Sequence, residues 1–341
     1  MEEANLLLEI ADLKVEFQTI NGVVRVLEGV DLYIERGESV ALVGESGSGK
    51  SVTAMSILRL LREPPATISG AIRLHHGGGR APTQLADIDP GSKQMQAIRG
   101  SEVAMIFQEP MRALSPVYTV GHQVAEAIWL HQDMPRRQAY EEAVQGLARV
   151  GLPEPGRLAD SYPHHLSGGQ LQRVMIALAL ACKPALLIAD EPTTALDVTI
   201  QAQILELLGE LQESLNLAVL LITHDLGVVA GFCSRINVMY MGQVIESGTT
   251  EQIFARPAHP YTQGLLRSVP VLGQHFKERF SAIRGSVPDP MQVPAGCSFG
   301  PRCDLFEEGL CNRPAKIEPV DMGAGHMSRC YKAELVSKHA S

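Results

Sequence analysis

The stretch Gly44-Glu45-Ser46-Gly47-Ser48-Gly49-Lys50-Ser51 sets glycines, a lysine and a hydroxyl in the spacing G-x-x-x-x-G-K-S. Glycines let backbone N–H groups turn inward onto phosphate oxygens, Lys50 can neutralise the β- and γ-phosphates, and the Ser51 hydroxyl can ligate magnesium. Val52 follows at the helix start and belongs with this set as a nucleotide contact. A glycine-rich turn with a chance lysine would carry the same letters. The placement decides against it: the apolar run Ser39–Val43 enters the stretch and a helical pattern, Ser51–Leu61, leaves it. The expected ligand is a nucleoside triphosphate with magnesium.

A second cluster of chemistry lies downstream. Leu186–Ala189 is apolar and ends in Asp190 and Glu191. On a strand aimed at the phosphate site, Asp190 sits beside the metal with Ser51, and Glu191 at the tip can accept the proton of an attacking water. An acidic turn would explain the pair in isolation, but the phosphate loop upstream favours catalysis. Leu166-Ser167-Gly168-Gly169-Gln170 precedes the helical run Leu171–Ala181, so its amides form a second anion-binding helix start. Gln108 follows the buried run Val103–Phe107, Asp197 follows the acidic pair after Ala195 and Leu196, and His224 ends the run Ala218–Thr223. Each alone is unremarkable, and a lone histidine at a strand end is more often structural. Phe17 offers a flat ring face for an adenine, although it equally fits the apolar side of an alternating strand.

Four cysteines, Cys297, Cys303, Cys311 and Cys330, crowd toward the end of the chain with the spacing C-x5-C-x7-C-x18-C. Four thiolates suit either a tetrahedral zinc or a 4Fe-4S cluster, and spacing alone does not choose. The gaps lack the tight C-x2-4-C pairs of zinc ribbons, and free thiols are the third reading. Arg302 and Arg329, beside Cys303 and Cys330, can donate hydrogen bonds to sulfur or lie in solvent. Cys182 and Cys233 fall in apolar stretches and read as core thiols.

These residues need elements to hold them. At 341 residues the chain has room for one large domain and an appendage, expected at 1–265 and 266–341. Hydrophobic residues at 45% against 20% charged support a packed core and exclude a wholly disordered chain. Leu8, Ile10, Leu13, Val15 and Phe17 alternate, and Val23–Leu32 does so again after the turn signal Asn21-Gly22, which predicts antiparallel strands. Gly77, Gly78 and Gly79, with Pro82, Pro90 and Gly91, predict an exposed loop. Helical periodicity runs from Val120 to Val150, and Ala185–Ala189, a helix over Ile200–Ser214 and Ala218–Thr223 give a parallel βαβ pattern. The formal charge of −9 argues against general attraction to nucleic acid. With no apolar run long enough to span a bilayer and acids at the start of the chain, the expectation is a cytoplasmic protein.

Read together, the phosphate loop, Gln108, the Ser167–Gln170 pentapeptide, the Asp190–Glu191 pair, Asp197 and His224 resemble the motif series of ABC ATPases, in that family's order. The resemblance implies an α/β P-loop core with an antiparallel β-subdomain, a helical subdomain over about 109–163, and dimers that clamp two ATP molecules with Mg2+. Each ATP would lie between one subunit's phosphate loop and the partner's Ser167, Gly168, Gly169 and Gln170. Gln108 would sense magnesium, Asp197 would bridge the dimer, His224 would contact the γ-phosphate, and Phe17 would stack on adenine. Leu171 departs from the family, where a basic residue is frequent.

The segment Ala255-Arg256-Pro257-Ala258-His259-Pro260-Tyr261-Thr262-Gln263-Gly264-Leu265-Leu266 is similar to the ATP-binding subunits of dipeptide and oligopeptide permeases, and the cysteines follow where those subunits carry a cysteine-rich tail. The resemblance then covers essentially the whole chain. It implies a 4Fe-4S cluster on Cys297, Cys303, Cys311 and Cys330, with zinc as the alternative. It implies a peripheral protein on the cytoplasmic face of the bacterial inner membrane. The implied partners are two transmembrane permease subunits, an extracytoplasmic substrate-binding protein and a second, related ATPase in a heterodimer, without nucleic acid. Nickel, glutathione or another small solute would fit the same machinery, as, less well, would a soluble ABC ATPase of DNA repair or translation.

Overall fold

The computed structural model describes residues 5–194, 196–268 and 283–338. Among these, the strands in chain order are β1 (Leu6–Thr19), β2 (Gly22–Glu35), β3 (Ser39–Val43), β4 (Ala66–Leu74), β5 (Thr83–Gln84), β6 (Val103–Ile106), β7 (Leu186–Asp190), β8 (Ala218–Thr223), β9 (Arg235–Tyr240), β10 (Gln243–Thr249), β11 (Val320–Asp321) and β12 (Met327–Ser328). They form two sheets. One is antiparallel, in the order β2-β1-β4-β5; the other runs β11-β12-β10-β9-β3-β8-β7-β6.

The larger sheet is parallel from β9 to β6 and antiparallel beyond β9. Its strands β3, β6, β7 and β8 are buried at every residue, which is why they read as short continuous apolar runs. Alternation still sorts their side chains between faces. Leu186 and Ile188 of β7, with Leu220 and Ile222 of β8, join a core shared with the antiparallel sheet and with helix Lys50–Ile57. Leu187 and Val219 join the opposite core, under the helices.

β1 carries the bulges that bend the smaller sheet, with register shifts on both sides of Leu13. Gly70 of β4 meets that bulge: its φ is +95°, and a Cβ there would stand 2.3 Å from the Asp12 carbonyl oxygen. The helical periodicity read from Val120 to Val150 is carried by two helices, Val120–His131 and Arg136–Arg149. Pro135 explains the break, because proline lacks an N–H and drives the residue before it out of the helical region. Thr119 caps the first of these helices by accepting from His122 N–H. The loop expected around Gly77–Gly91 is present, but it holds the short strand β5 and a turn of 3-10 helix at Leu85–Asp87.

The end of the chain is more integrated than expected. β12 pairs with β10, so the tail extends the main sheet instead of standing apart. Beneath this junction Glu246 is fully buried; it accepts from the N–H groups of Ala258 and His259 and lies 2.8 Å from His326 Nε2. No helix among the described residues is long and apolar enough to cross a membrane.

Candidate nucleotide-binding site

The loop from Gly44 to Ser51 joins β3 to helix Lys50–Ile57, and its glycines sit where side chains cannot. A Cβ on Gly44 would stand 2.2 Å from the Met239 carbonyl oxygen. Gly49, at φ +106°, presses against Leu27 and Met239, whereas Gly47, at φ +82°, faces open space. Lys50 is 5% exposed and donates to the carbonyls of Gly44 at 2.7 Å and Glu45 at 3.0 Å. Burial lowers its pKa, with Glu191, Asp190 and Glu45 pulling the other way. Its ammonium is therefore tethered to backbone carbonyls, close to two carboxylates, and can be redirected to phosphate.

Ser51 Oγ donates to Asp190 Oδ1 at 3.1 Å, which brings together the hydroxyl and carboxylate expected at magnesium. Asp190 is 6% exposed, and burial raises its pKa against the Ser51 hydrogen bond. A divalent cation here would reverse that balance by favouring the carboxylate.

Glu191 is the point of convergence. Gln108 Nε2 donates to Glu191 Oε2 at 3.0 Å, and His224 Nδ1 lies 3.1 Å from Glu191 Oε1. The hydroxyl of Thr194, which motif spacing did not single out, donates to Oε2 at 2.8 Å. Burial pulls the Glu191 pKa upward, but Thr194, His224 and Lys50 outweigh it and hold the group below its ordinary value. Residue 191 also takes a left-handed backbone, φ +47°, with its N–H bonded to Ile222 O on β8. Such a conformation is costly without glycine and accumulates at functional sites.

Ser167 and Gln170 cap helix Gly168–Leu180 reciprocally: Ser167 Oγ accepts from Gln170 N–H and Gln170 Oε1 accepts from Ser167 N–H. Gly168 lies against Leu196 and Gly169 against Ile200, and Ser167 and Gly168 are exposed. None of their hydrogen bonds among the described residues reaches the Gly44–Ser51 loop. Asp197 caps helix Val198–Leu215 through Ile200 N–H and is itself exposed; Ala195, just before it, lies outside the described residues. Phe17 of β1 is half-buried, paired with Val24 of β2 and Ala66 of β4, and packs against the shared core, as does Val52.

An ABC transporter family model matches residues 27–194, and an oligopeptide/dipeptide transporter C-terminal region model matches residues 245–311. A Sinorhizobium fredii protein named "Probable peptide ABC transporter ATP-binding protein y4tR" is 46% identical over 335 residues, covering 98% of this chain and 97% of that protein. The chain belongs to the ABC transporter ATP-binding proteins. A Brucella melitensis relative, provisionally named a peptide import ATP-binding protein, is 46% identical to this ABC ATPase over 97% of it and 98% of the relative. Among solved structures, the ABC ATPase superposes on the ATP-binding cassette MJ0796, in a dimeric post-hydrolysis state bound to ADP and Pi, at TM-score 0.63 and 29% identity, over 72% of this chain and 99% of that one. The cassette cbiO1 of Clostridium perfringens gives TM-score 0.60 and 30% identity, over 74% and 91%.

The cysteines of this ABC ATPase need separate treatment. Among the described residues, no three His, Cys, Asp or Glu side chains are gathered so as to hold a metal ion, and the expected metal centre, 4Fe-4S cluster or zinc, gains no support. Cys297, Cys303, Cys311 and Cys330 nevertheless line one cavity, with Phe299, Phe306 and Ile317 among its other walls. Burial raises the pKa of Cys297, Cys303 and Cys330, the last to about 12. The two arginines offered as sulfur donors are neither on sulfur nor in solvent. Arg302 binds Glu45, Tyr240 and two carbonyls; Arg329 binds the carbonyls of Val244 and Ile317 and the Asp31 carboxylate. Cys233 is buried in the core, as expected, whereas Cys182 is only half-buried and lies outside the core clusters.

Proposed function

We propose that this chain binds and hydrolyses ATP as the motor subunit of an importer for di- and oligopeptides. The observation that carries the hydrolytic part is the convergence of Gln108, Thr194 and His224 on Glu191, beside the Lys50, Ser51 and Asp190 cluster. The peptide cargo rests on the relatives' names and on the C-terminal region model.

In this reading the Gly44–Ser51 amides, with Val52 behind them, receive the phosphates, and Lys50 leaves its two carbonyls for the β- and γ-phosphates. Ser51, Asp190 and Gln108 hold Mg2+, whose positive charge offsets the charge building on the phosphoryl oxygens. Glu191 is ionised at neutral pH and accepts the proton of the attacking water, while His224 contacts the γ-phosphate. The exposed Ser167 and Gly168, with the half-buried Gly169 and Gln170, bond to none of their own phosphate loop among the described residues and serve the partner subunit's ATP, with Asp197 at the dimer seam. Phe17 presents its exposed face to adenine.

Residues 1–265 form the nucleotide-binding domain, with a helical subdomain over about 109–163 that docks on two transmembrane permease subunits. Residues 266–341 form the tail. A related ATPase completes the dimer and an extracytoplasmic binding protein delivers the peptide, with the chain held peripherally on the inner membrane. For the tail we favour a 4Fe-4S cluster on Cys297, Cys303, Cys311 and Cys330. Four thiolates on one zinc at ~2.3 Å would crowd within ~4 Å of one another, whereas a four-iron cluster takes one thiolate per iron and suits thiols spread around a shared cavity. The cluster would cross-link a tail with little core of its own.

The test separates binding from hydrolysis. Glu191→Gln should keep ATP binding and lose hydrolysis by roughly 10²- to 10⁴-fold, and Lys50→Ala should lose most binding. Unchanged turnover in Glu191→Gln overturns its role as base.

A further inference from the structure

The second residue of the phosphate loop is held by the far end of the chain. Glu45 makes a two-pronged ion pair with Arg302: Nη1 donates to Oε2 at 2.6 Å and Nη2 to Oε1 at 3.0 Å. The Arg302 side chain is only 4% exposed, and its remaining donors go to Arg284 O at 2.9 Å, Gly285 O and the Tyr240 hydroxyl. The Glu45 backbone N–H donates to the Tyr261 hydroxyl at 2.8 Å. Tyr261, Tyr240 and Phe299 pack ring against ring beneath, with centroids 4.8 to 5.4 Å apart. Every polar group of residue 45 is therefore committed: its N–H to Tyr261, its carboxylate to Arg302, and its carbonyl to Lys50 Nζ.

We infer that Arg302 is a positioning residue for the nucleotide site, fixing the phosphate loop and the resting place of Lys50 from the C-terminal segment through Glu45. A paired guanidinium and carboxylate is stronger and more directional than a single-point contact, so it sets an orientation as well as a distance. Its position in the chain gives it a second consequence. Arg302 directly precedes Cys303, and Phe299, which supports both tyrosines, also walls the four-cysteine cavity. A change in the packing of that cavity is thereby conveyed to the loop that receives ATP. Glu45 and Arg302 are otherwise unrelated in sequence, and a purely structural clamp could have been placed at any other edge of the tail.

The inference rests on the ATP reading above, and the experiment distinguishes the failure of each. Equilibrium binding of a fluorescent ATP analogue and steady-state ATP hydrolysis are measured on the full chain for wild type, Glu45→Gln, Arg302→Met, Arg302→Lys, the double variant Glu45→Gln/Arg302→Met, and Lys50→Ala. Each single loss should weaken nucleotide binding about tenfold, within the usual range of coupling between sites, and raise KM for ATP with little change in kcat. The double variant should be no worse than either single one, because both remove the same link. Arg302→Lys should recover only part of the affinity. Should Arg302→Met fail to fold, Glu45→Gln, altered on the loop side alone, still reads the link. Wild-type affinity in Glu45→Gln, or additive losses in the double variant, would overturn the inference while leaving the ATP site intact; indifference to Lys50→Ala would sink the ATP reading itself.

Discussion

At the scale of single residues, the site is organised around one carboxylate. Glu191 receives Gln108, Thr194 and His224, and the net effect holds its pKa below the ordinary 4.5. The sign of the linkage follows: a depressed carboxylate contributes stability that is present above the ordinary value and lost as pH falls through the lower, folded one. The difference in thermal stability between wild type and Glu191→Gln should therefore shrink as the protein is taken below pH 4.5. A difference that grows on acidification would mean that folding raises the Glu191 pKa instead of lowering it. Lys50, Ser51, Asp190 and Glu191 stood out in the sequence through residue type and local spacing, whereas Gln108 and His224 stood out only through their place in the motif series of ABC ATPases. Arg302 and Tyr261 did not, being 257 and 216 residues from the loop residue they hold. Local pattern carries no signal for such pairs. Thr194 lay within reach, three residues past Glu191, but a threonine in a polar turn looks like any other.

At the scale of elements, the phosphate loop is shaped from outside itself. Gly44 is squeezed against the carbonyl of Met239 on β9, and Gly49 against Leu27 on β2 and the Met239 side chain. Gly44→Ala should cost about 1–3 kcal/mol in denaturant unfolding, the usual range for overpacking a tight contact, and weaken ATP binding along with it. Wild-type stability in Gly44→Ala would mean that β9 gives way freely. The parallel strands β3, β6, β7 and β8 announced themselves as buried apolar runs, and the helix start at Ser167 as a short polar residue before periodic ones. β4, β9 and β10 went unread. β4 alternates weakly around the bulge-facing Gly70, and β10 mixes Glu246, Ser247 and Gly248 into its run because Glu246 is buried for its backbone partners, not for apolar packing. Helical periodicity across Val120–Val150 was legible, but the break at Pro135 that divides it into two helices is one that periodicity alone passes over.

At the scale of the molecule, the tail is joined to the ATPase core at several places, among them β12 on β10, His326 on Glu246, Arg302 on Glu45, and Arg329 on Val244 and Asp31. Two-residue strands such as β11 and β12 leave no periodic trace, so the sequence suggested an appendage without showing that it extends the main sheet. Anaerobically purified protein should contain iron and acid-labile sulfide in equal amounts, with visible absorption that is lost when Cys303 or Cys311 is replaced by serine. Zinc as the only stoichiometric metal would overturn the cluster.

The central claim is that ATP hydrolysis at Glu191 powers peptide uptake. It is tested most directly by labelled dipeptide and oligopeptide uptake in the native cell, with the gene deleted and then restored as wild type or as Glu191→Gln. The account predicts that deletion abolishes uptake, that wild type restores it, and that Glu191→Gln does not although it assembles with the permease subunits. Peptide uptake that persists after deletion, with loss of uptake of a different solute, would contradict it.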